Sequence, residues 1–335
     1  MNTYSSPVRV AVAGATGYAG QELVGLLARH PGVRLQAAMS SSAESAARPL
    51  PRLARVWNGS VEPLDPDRLS REMDVVFLAV PENAAATLAP PLVDAGVRVI
   101  DLSGAFRIRD EQTRAHWYPA TTRLPAGAAY GLTEYYRDQI REARLVANPG
   151  CYPTAALLSL MPLARGGLLD ASAGVIVDAK SGISGAGRAP SDRTHFSENH
   201  GSVSAYGVLG HRHVAEMEQE LGTLVTFVPH LVPLDRGILE TIYVRVVPET
   251  TPARIAEVFA AAYGREPFVR LTGELLPEIK HVAWTNFCDI GWKLETASRR
   301  LVLVACLDNL VKGAAGQAVQ NFNVACGIEE RTALL

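Results

Sequence analysis

Hydrophobic residues in the first third of the chain come in short β-branched or small-residue runs separated by amphipathic stretches. Val8 to Ala13 (Val-Arg-Val-Ala-Val-Ala) has the composition of a buried strand, and Gln21 to Arg29 that of an amphipathic helix. Val33 to Met39, Met73 to Val80 and Val97 to Leu102 repeat the strand pattern, and Pro81-Glu82-Asn83 opens a helix between the last two. Strand–helix alternation over residues 1–105 predicts a parallel, doubly wound sheet with its site at the carboxyl ends of the strands. The polar, proline-dotted stretch from Ala43 to Arg71 carries no clear motif, and Met1 to Pro7 reads as a polar lead into the first strand.

The pattern changes after residue 150. Arg144 to Ala147 reads as a short strand and Ala155 to Ala164 as an apolar helix, with Asn148-Pro149-Gly150-Cys151-Tyr152-Pro153-Thr154 between them. Gly174 to Ala179, Leu224 to Val228, Ile238 to Val247 and Arg300 to Leu307 read as strands, and His213 to Leu221 as a helix. Thr251 to Tyr263 is a further helix, with a threonine cap and Pro252 in its first turn. This is a separate sheet-plus-helices domain. An alanine-rich helix from Asp308 to Phe322, whose small residues suit close packing, is expected to return to the first domain. The fold class is therefore α/β: a Rossmann-type doubly wound parallel sheet, plus a second α+β catalytic domain with a mixed or antiparallel sheet. The expected boundaries are 1–149 plus 310–335 for the first and 150–309 for the second.

Two motifs carry chemistry. Gly14-Ala15-Thr16-Gly17-Tyr18-Ala19-Gly20 joins the first strand to its helix, with glycines at 14, 17 and 20 in the G-x-x-G-x-x-G variant of the dinucleotide fingerprint. Such a turn brings backbone close to a pyrophosphate and points a helix N-terminus at it. The second strand ends in Ser40-Ser41-Ser42, where an acidic residue would hold the ribose 2′-hydroxyl of NAD. Hydroxyls there, with Arg48 and Arg52 downstream, favour the 2′-phosphate of NADP.

Cys151 is the second centre. A strand, a tight Asn-Pro-Gly turn and a helix place it at the positive end of a helix dipole, and Pro153 sits in the first turn, where its missing N–H costs nothing. A free thiol with pKa ~8.5 is mostly protonated at neutral pH, whereas helix N-termini lower cysteine pKa to roughly 3.5–7.5. That placement favours a nucleophilic thiolate. His211 and His213, at the start of a helix, are candidates for proton transfer. Arg107, just past a strand end, and Arg188, in a loop with glycines at 182, 185 and 187, suit a phosphate or a carboxylate.

Composition narrows the classes without choosing among them. The 335 residues are 48% hydrophobic and 20% charged with net charge −2, an ordinary globular balance that makes no case for nucleic acid or an anionic membrane. The four cysteines form no CxxC pair and no metal-like cluster, which fits reduced thiols in a cytoplasmic chain. No apolar run approaches the length of a membrane span, and no signal-peptide pattern precedes the first strand.

In order along the chain stand Gly14 to Gly20, Asp101-Leu-Ser-Gly-Ala-Phe-Arg107, Tyr130-Gly-Leu132, Asn148 to Thr154, Ser184-Gly-Ala-Gly-Arg188, His211-Arg-His213, Pro229-His-Leu-Val-Pro233 and Asp308-Asn-Leu-Val-Lys-Gly313. This series resembles the N-acetyl-gamma-glutamyl-phosphate reductases, within the wider aspartate-semialdehyde dehydrogenase group. Two positions depart from that family's usual pattern: Pro81-Glu82-Asn83 stands where Pro-His-Gly is common, and Ala43 and Glu44 follow the serines where an arginine is common.

The resemblance implies NADPH-dependent reduction of an acyl phosphate through a Cys151 thioester, with His211 or His213 supplying a proton. It implies cofactor contacts from Gly14, Thr16, Gly17, Tyr18, Ala19 and Gly20, from Ser40 and Ser41, from Ser184 and Gly185, and from Asn309 at the nicotinamide end. Arg107 and Arg188 become substrate-binding candidates, and backbone N–H groups around Cys151 are expected to steady an oxyanion. A homodimer or homotetramer is implied as well. The same motifs serve an aminoadipyl-phosphate reductase of lysine biosynthesis, acting on a carrier-protein-linked substrate one methylene longer. A third reading is a non-catalytic NADP-binding regulator, against which the retention of Cys151 and both histidines argues.

Overall fold

The computed structural model describes residues 6–44 and 46–335; most of the expected N-terminal polar lead lies outside the described residues. The chain forms two compact units, residues 1–149 with 314–335 and residues 150–313.

The first unit contains β1 (Val8–Ala13), α1 (Tyr18–Leu27), β2 (Val33–Met39), β3 (Arg48–Pro49), β4 (Ser60–Glu62), α2 (Pro66–Glu72), β5 (Val75–Leu78), α3 (Glu82–Asp94), β6 (Arg98–Asp101), α4 (Glu111–Trp117), β7 (Ala129–Tyr130), α5 (Thr133–Glu142) and β8 (Leu145–Ala147). Its 8-stranded sheet runs β3-β4-β2-β1-β5-β6-β8-β7. The pairs are parallel except β3 with β4. Alternate residues of β1 feed different cores. Val8, Val10 and Val12 pack with α1 and the C-terminal helix, and Ala11 and Ala13 with α2 and α3. Burial on both faces is why these strands read as continuous apolar runs. The order reverses between β1 and β5, the switch point at which open α/β sheets bind ligands.

The stretch Ala43 to Arg71, without a motif in the sequence, holds the edge strand β3, its neighbour β4 and most of α2. Asp65 caps α2 by accepting from the Arg68 N–H at 3.0 Å. Pro81 occupies the N-cap of α3 without a side-chain bond, so the expected cap there is only positional.

The second unit contains α6 (Cys151–Arg165), β9 (Val175–Gly182), α7 (Phe196–Asn199), β10 (Ser204–Ala205), α8 (His213–Leu221), β11 (Val225–Val232), β12 (Ile238–Arg245), α9 (Pro252–Tyr263), β13 (Val269–Gly273), β14 (Cys288–Glu295) and β15 (Arg300–Leu307). The 7-stranded mixed sheet runs β10-β11-β9-β12-β15-β14-β13. Burial alternates along β11 and β12, so one sheet face is packed and the other is open, with Ile176 and Tyr243 exposed on it. Helix α6 is apolar all round, and Tyr152 through Leu163 are all buried, which is the pattern of a core helix. Strands β13 and β14 are absent from the sequence reading. Gly273 and Gly291 interrupt their hydrophobic pattern, and β13 pairs only along one edge.

The closing helical segment starts later than expected. Asp308 and Asn309 precede it, a π-helical turn covers Val311–Ala315, and the α-helix runs Gly316–Ala325. Residues from Ala314 onward belong to the first unit.

Candidate functional site

In the first unit the glycines of the β1–α1 turn have distinct jobs. Gly14 has φ +87°, and a Cβ there would lie 2.1 Å from the carbonyl oxygen of Ala79, just beyond β5. A Cβ on Gly20 would lie 2.2 Å from the Gly14 carbonyl oxygen, so Gly20 lets α1 close onto the turn. Gly17 differs. It is the N-cap of α1 with φ −71°, and among the described residues, its two chain neighbours aside, nothing comes nearer than 3.6 Å to its would-be Cβ. No internal contact demands glycine at 17. The space left at a helix N-terminus fits a pyrophosphate cradle that a side chain would fill. The Gly14 and Ala15 amides both donate to the Met39 carbonyl at 2.8 Å, which brings the turn next to Ser40. Ser40 is buried and its Oγ donates to the Ser42 carbonyl at 2.6 Å, while Ser41 is exposed.

In the second unit Cys151 is the first residue of the 15-residue helix α6, half-buried, with Gly150 as its N-cap. The Gly150 N–H donates to Oε2 of Glu216 at 3.0 Å. Glu216 is completely buried on α8 and brings its other oxygen 3.9 Å from Nε2 of His213, one turn back. A Cβ on Gly150 would lie 2.6 Å from that same Nε2. The His213 ring therefore rests on the backbone next to the cysteine. From the other side Gly313 approaches so closely that a Cβ on it would lie 2.7 Å from the Cys151 β-carbon.

His211 belongs to an aromatic cluster. Its ring centroid is 4.7 Å from His213, 5.3 Å from Phe227, 5.6 Å from Tyr206 and 5.9 Å from Tyr152. Burial, with the neighbouring Arg212 charge, brings its pKa down to about 4. Nδ1 accepts the His213 backbone N–H at 3.2 Å, which leaves the proton of the neutral ring on Nε2. The hydroxyls of Tyr152 and Tyr206 are 3.1 Å apart. Burial raises Tyr152 above the ordinary phenol range, and Tyr206 to about 12; the charge of Cys151 raises both. Two phenols and two imidazoles thus gather around the start of α6.

The family described as "Semialdehyde dehydrogenase, NAD binding domain" matches residues 9–143, and "Semialdehyde dehydrogenase, dimerisation domain" matches residues 151–309. The chain is 45% identical to an N-acetyl-gamma-glutamyl-phosphate reductase of Brevibacillus brevis and 46% identical to one of Desulforapulum autotrophicum, each over 98% of both chains. The chain belongs to the N-acetyl-gamma-glutamyl-phosphate reductase family. Aspartate semialdehyde dehydrogenase II of Vibrio cholerae shares its fold at 18% identity, with TM-score 0.73 over 95% of this chain and 98% of that one. The aspartate semialdehyde dehydrogenase of Candida albicans, solved with NADP, does so at 16% identity, with TM-score 0.70 over 97% of this chain and all of that one.

Within this reductase-family chain, the other residues singled out from sequence stand as follows. Arg107 is buried rather than presented to solvent. Its Nε donates to the Asn148 carbonyl at 2.7 Å and its Nη2 to the Leu102 carbonyl at 2.8 Å, so much of the guanidinium braces two strand ends. Arg188 is exposed. Asn309 is buried, and its amide is engaged at both ends: Oδ1 accepts from the Gly237 N–H at 2.7 Å and Nδ2 donates to Ser184 Oγ at 3.0 Å. Its immediate effect is to fix the Ser184–Gly185 turn. Arg52 is ion-paired with Glu22 at 2.6 Å, while Arg48 lies exposed on the edge strand β3. Of the backbone N–H groups around Cys151, that of Gly150 is taken by Glu216.

Sequence reasoning passed over Glu216, Tyr152 and Tyr206. Glu216 was visible as an acidic residue three positions after His213, one helical turn away, and that spacing was the available signal.

Proposed function

We propose that this chain catalyses the NADPH-dependent reduction of N-acetyl-gamma-glutamyl phosphate to the corresponding semialdehyde and phosphate, the activity named for its close relatives. The observation that carries the reading is the placement of Cys151 at the first position of α6, under His213 and beside two phenols.

The helix dipole favours the thiolate, which attacks the acyl carbon; the C–S bond forms as the C–O bond to phosphate breaks, giving a thioester. NADPH, when bound, supplies the hydride that converts the thioester to a hemithioacetal. Collapse of that adduct breaks the C–S bond, releases aldehyde and regenerates the thiolate. His213, whose ring rests on Gly150 3.9 Å from Glu216, gives its proton to the oxygen of the adduct as the hydride arrives and takes it back as the C–S bond breaks. His211 is poorly suited to accept a proton, since burial keeps it neutral; its Nε2–H serves instead as a fixed hydrogen-bond donor. Tyr152 and Tyr206 also stay protonated across the neutral range. Of the first-turn amides of α6, Pro153 has none and that of Thr154 donates to the Gly150 carbonyl at 2.9 Å, so the Cys151 and Tyr152 amides are the oxyanion donors.

The first unit is the cofactor-binding domain in this proposal. Gly14 to Gly20 hold the pyrophosphate, and Ser41 with Arg48 favours NADP over NAD. The second unit is the catalytic and dimerisation domain, and a second copy covers its open sheet face around Ile176 and Tyr243. Cys151→Ala should lower turnover by about four orders of magnitude or more while NADPH titration still shows binding. Substantial residual turnover in that variant would exclude the thioester route.

A further inference from the structure

An acyl phosphate with a free carboxylate carries negative charge at both ends, so a site for it needs uncommitted cations near the nucleophile. Most basic side chains of the second unit are committed elsewhere. Lys180 pairs with Asp178 at 2.7 Å, Arg236 with Asp308 at 3.1 Å and Arg270 with Asp289 at 2.6 Å. Lys312 is completely buried.

Arg193 is different. It lies in a short 3-10 turn, Asp192–Thr194, fixed by a reciprocal capping box between Ser191 and Thr194. Among the described residues no carboxylate lies within ion-pair distance of it, although Asp192 is its chain neighbour. It is held instead by an aromatic face, with the guanidinium carbon 5.2 Å from the centroid of the Tyr206 ring. A cation–π contact consumes no N–H donor, so the donors of Arg193 are not spent on the Tyr206 ring. Tyr206 in turn meets the hydroxyl of Tyr152, the residue after Cys151. The Tyr206 phenol registers both charges, raised by Cys151 and lowered by Arg193.

We propose that Arg193 is a specificity-determining residue that receives an oxyanion of the substrate beside Cys151. The assignment rests on the reductase reading above. The shared chemistry is a planar fork binding two oxygens of one anionic group, either the phosphoryl group or the carboxylate.

The test is steady-state kinetics in the reverse direction, with N-acetylglutamate semialdehyde and inorganic phosphate varied separately, on wild type, Arg193→Gln and Arg193→Lys. Arg193→Gln should raise one of the two KM values about tenfold or more while kcat changes little. Arg193→Lys, which keeps the charge and loses the fork, should fall between. A rise in the phosphate KM identifies the phosphoryl group as the ligand, and a rise in the semialdehyde KM identifies the carboxylate. Both KM values unchanged, or a loss confined to kcat, overturns the proposal. A second readout needs no turnover. Inorganic phosphate or N-acetylglutamate should slow iodoacetamide labelling of Cys151 in wild type and do so about tenfold less effectively in Arg193→Gln; equal protection in both proteins overturns it too. A wild type that is protected but reduces no acyl phosphate would refute the reductase reading and leave the anion site standing.

Discussion

The Gly150 amide and the Glu216 carboxylate meet at 3.0 Å inside the second unit, and the same carboxylate brings its other oxygen within 3.9 Å of Nε2 of His213. One buried acid therefore bonds the backbone before Cys151 and stands within ion-pair range of the imidazole resting on it. Glu216→Ala should lower kcat by about 10- to 100-fold, the range for losing a hydrogen bond to a buried charge. Glu216→Gln keeps an acceptor for the Gly150 amide and should recover part of that loss. The pH dependence of Cys151 alkylation provides the check. If both variants alkylate with the wild-type profile, Glu216 does not orient this site.

The three glycines of the β1–α1 turn should separate in experiment. Gly14→Ala, at φ +87° and against the Ala79 carbonyl, should destabilise the fold by more than about 3 kcal/mol. Gly17→Ala should leave the thermal midpoint near that of wild type and weaken NADPH binding at least about tenfold. Cofactor titration together with a melting curve distinguishes the two; a Gly17→Ala protein that binds NADPH normally would remove this turn from the cofactor site.

Asp101, at the end of β6, is completely buried, and burial raises its pKa to about 6 despite bonds from the Ser103 amide and hydroxyl. The folded state thus holds this proton more tightly than the unfolded chain. Its contribution to stability is greatest below the ordinary carboxylate pKa, falls as the pH climbs from about 4 to about 6, and is constant above that, a change of about 3 kcal/mol. Asp101→Asn should remove this dependence. Urea unfolding of variant and wild type at pH 4.5 and pH 7, compared as differences, measures it.

Glu240 on β12 is completely buried between the cross-strand neighbours Ala179 and Ala305, and among the described residues neither carboxylate oxygen has a hydrogen-bond partner. Burial raises its pKa well above the ordinary value, only partly countered by Lys180. Here too stability falls as pH rises past the carboxylate range. Glu240→Leu should stabilise the protein at pH 8 by about 1–3 kcal/mol, the cost of an unsatisfied buried polar group, and by less at pH 5. A variant less stable than wild type at pH 8 would show that the carboxylate has an undetected partner.

Much of the fold was legible because its signals are local. β2 and β15 match their sequence-derived spans, and Thr251 caps α9 through the Arg254 amide at 3.2 Å. The position of Cys151 at the head of α6 was legible for the same reason, since strand, turn and helix are contiguous around it. Partnerships were not. Nothing near Arg107 in the sequence shows that its donors go to Leu102 and Asn148, and nothing near Asn309 names Gly237 and Ser184. Hydrogen bonds that close long loops are decided by tertiary packing, which residue spacing does not encode. The short strands β3, β7 and β10 were missed because two residues carry no period.

Gly313, pressed against the β-carbon of Cys151, closes a loop that Gly150 opened: the second unit starts and finishes at the same point in space. A segment whose ends coincide can be excised and rejoined by a short linker with little entropic penalty. The whole thiol-bearing module, histidines and phenols included, is thus a cassette that genetic transplantation can carry to a different scaffold in one piece.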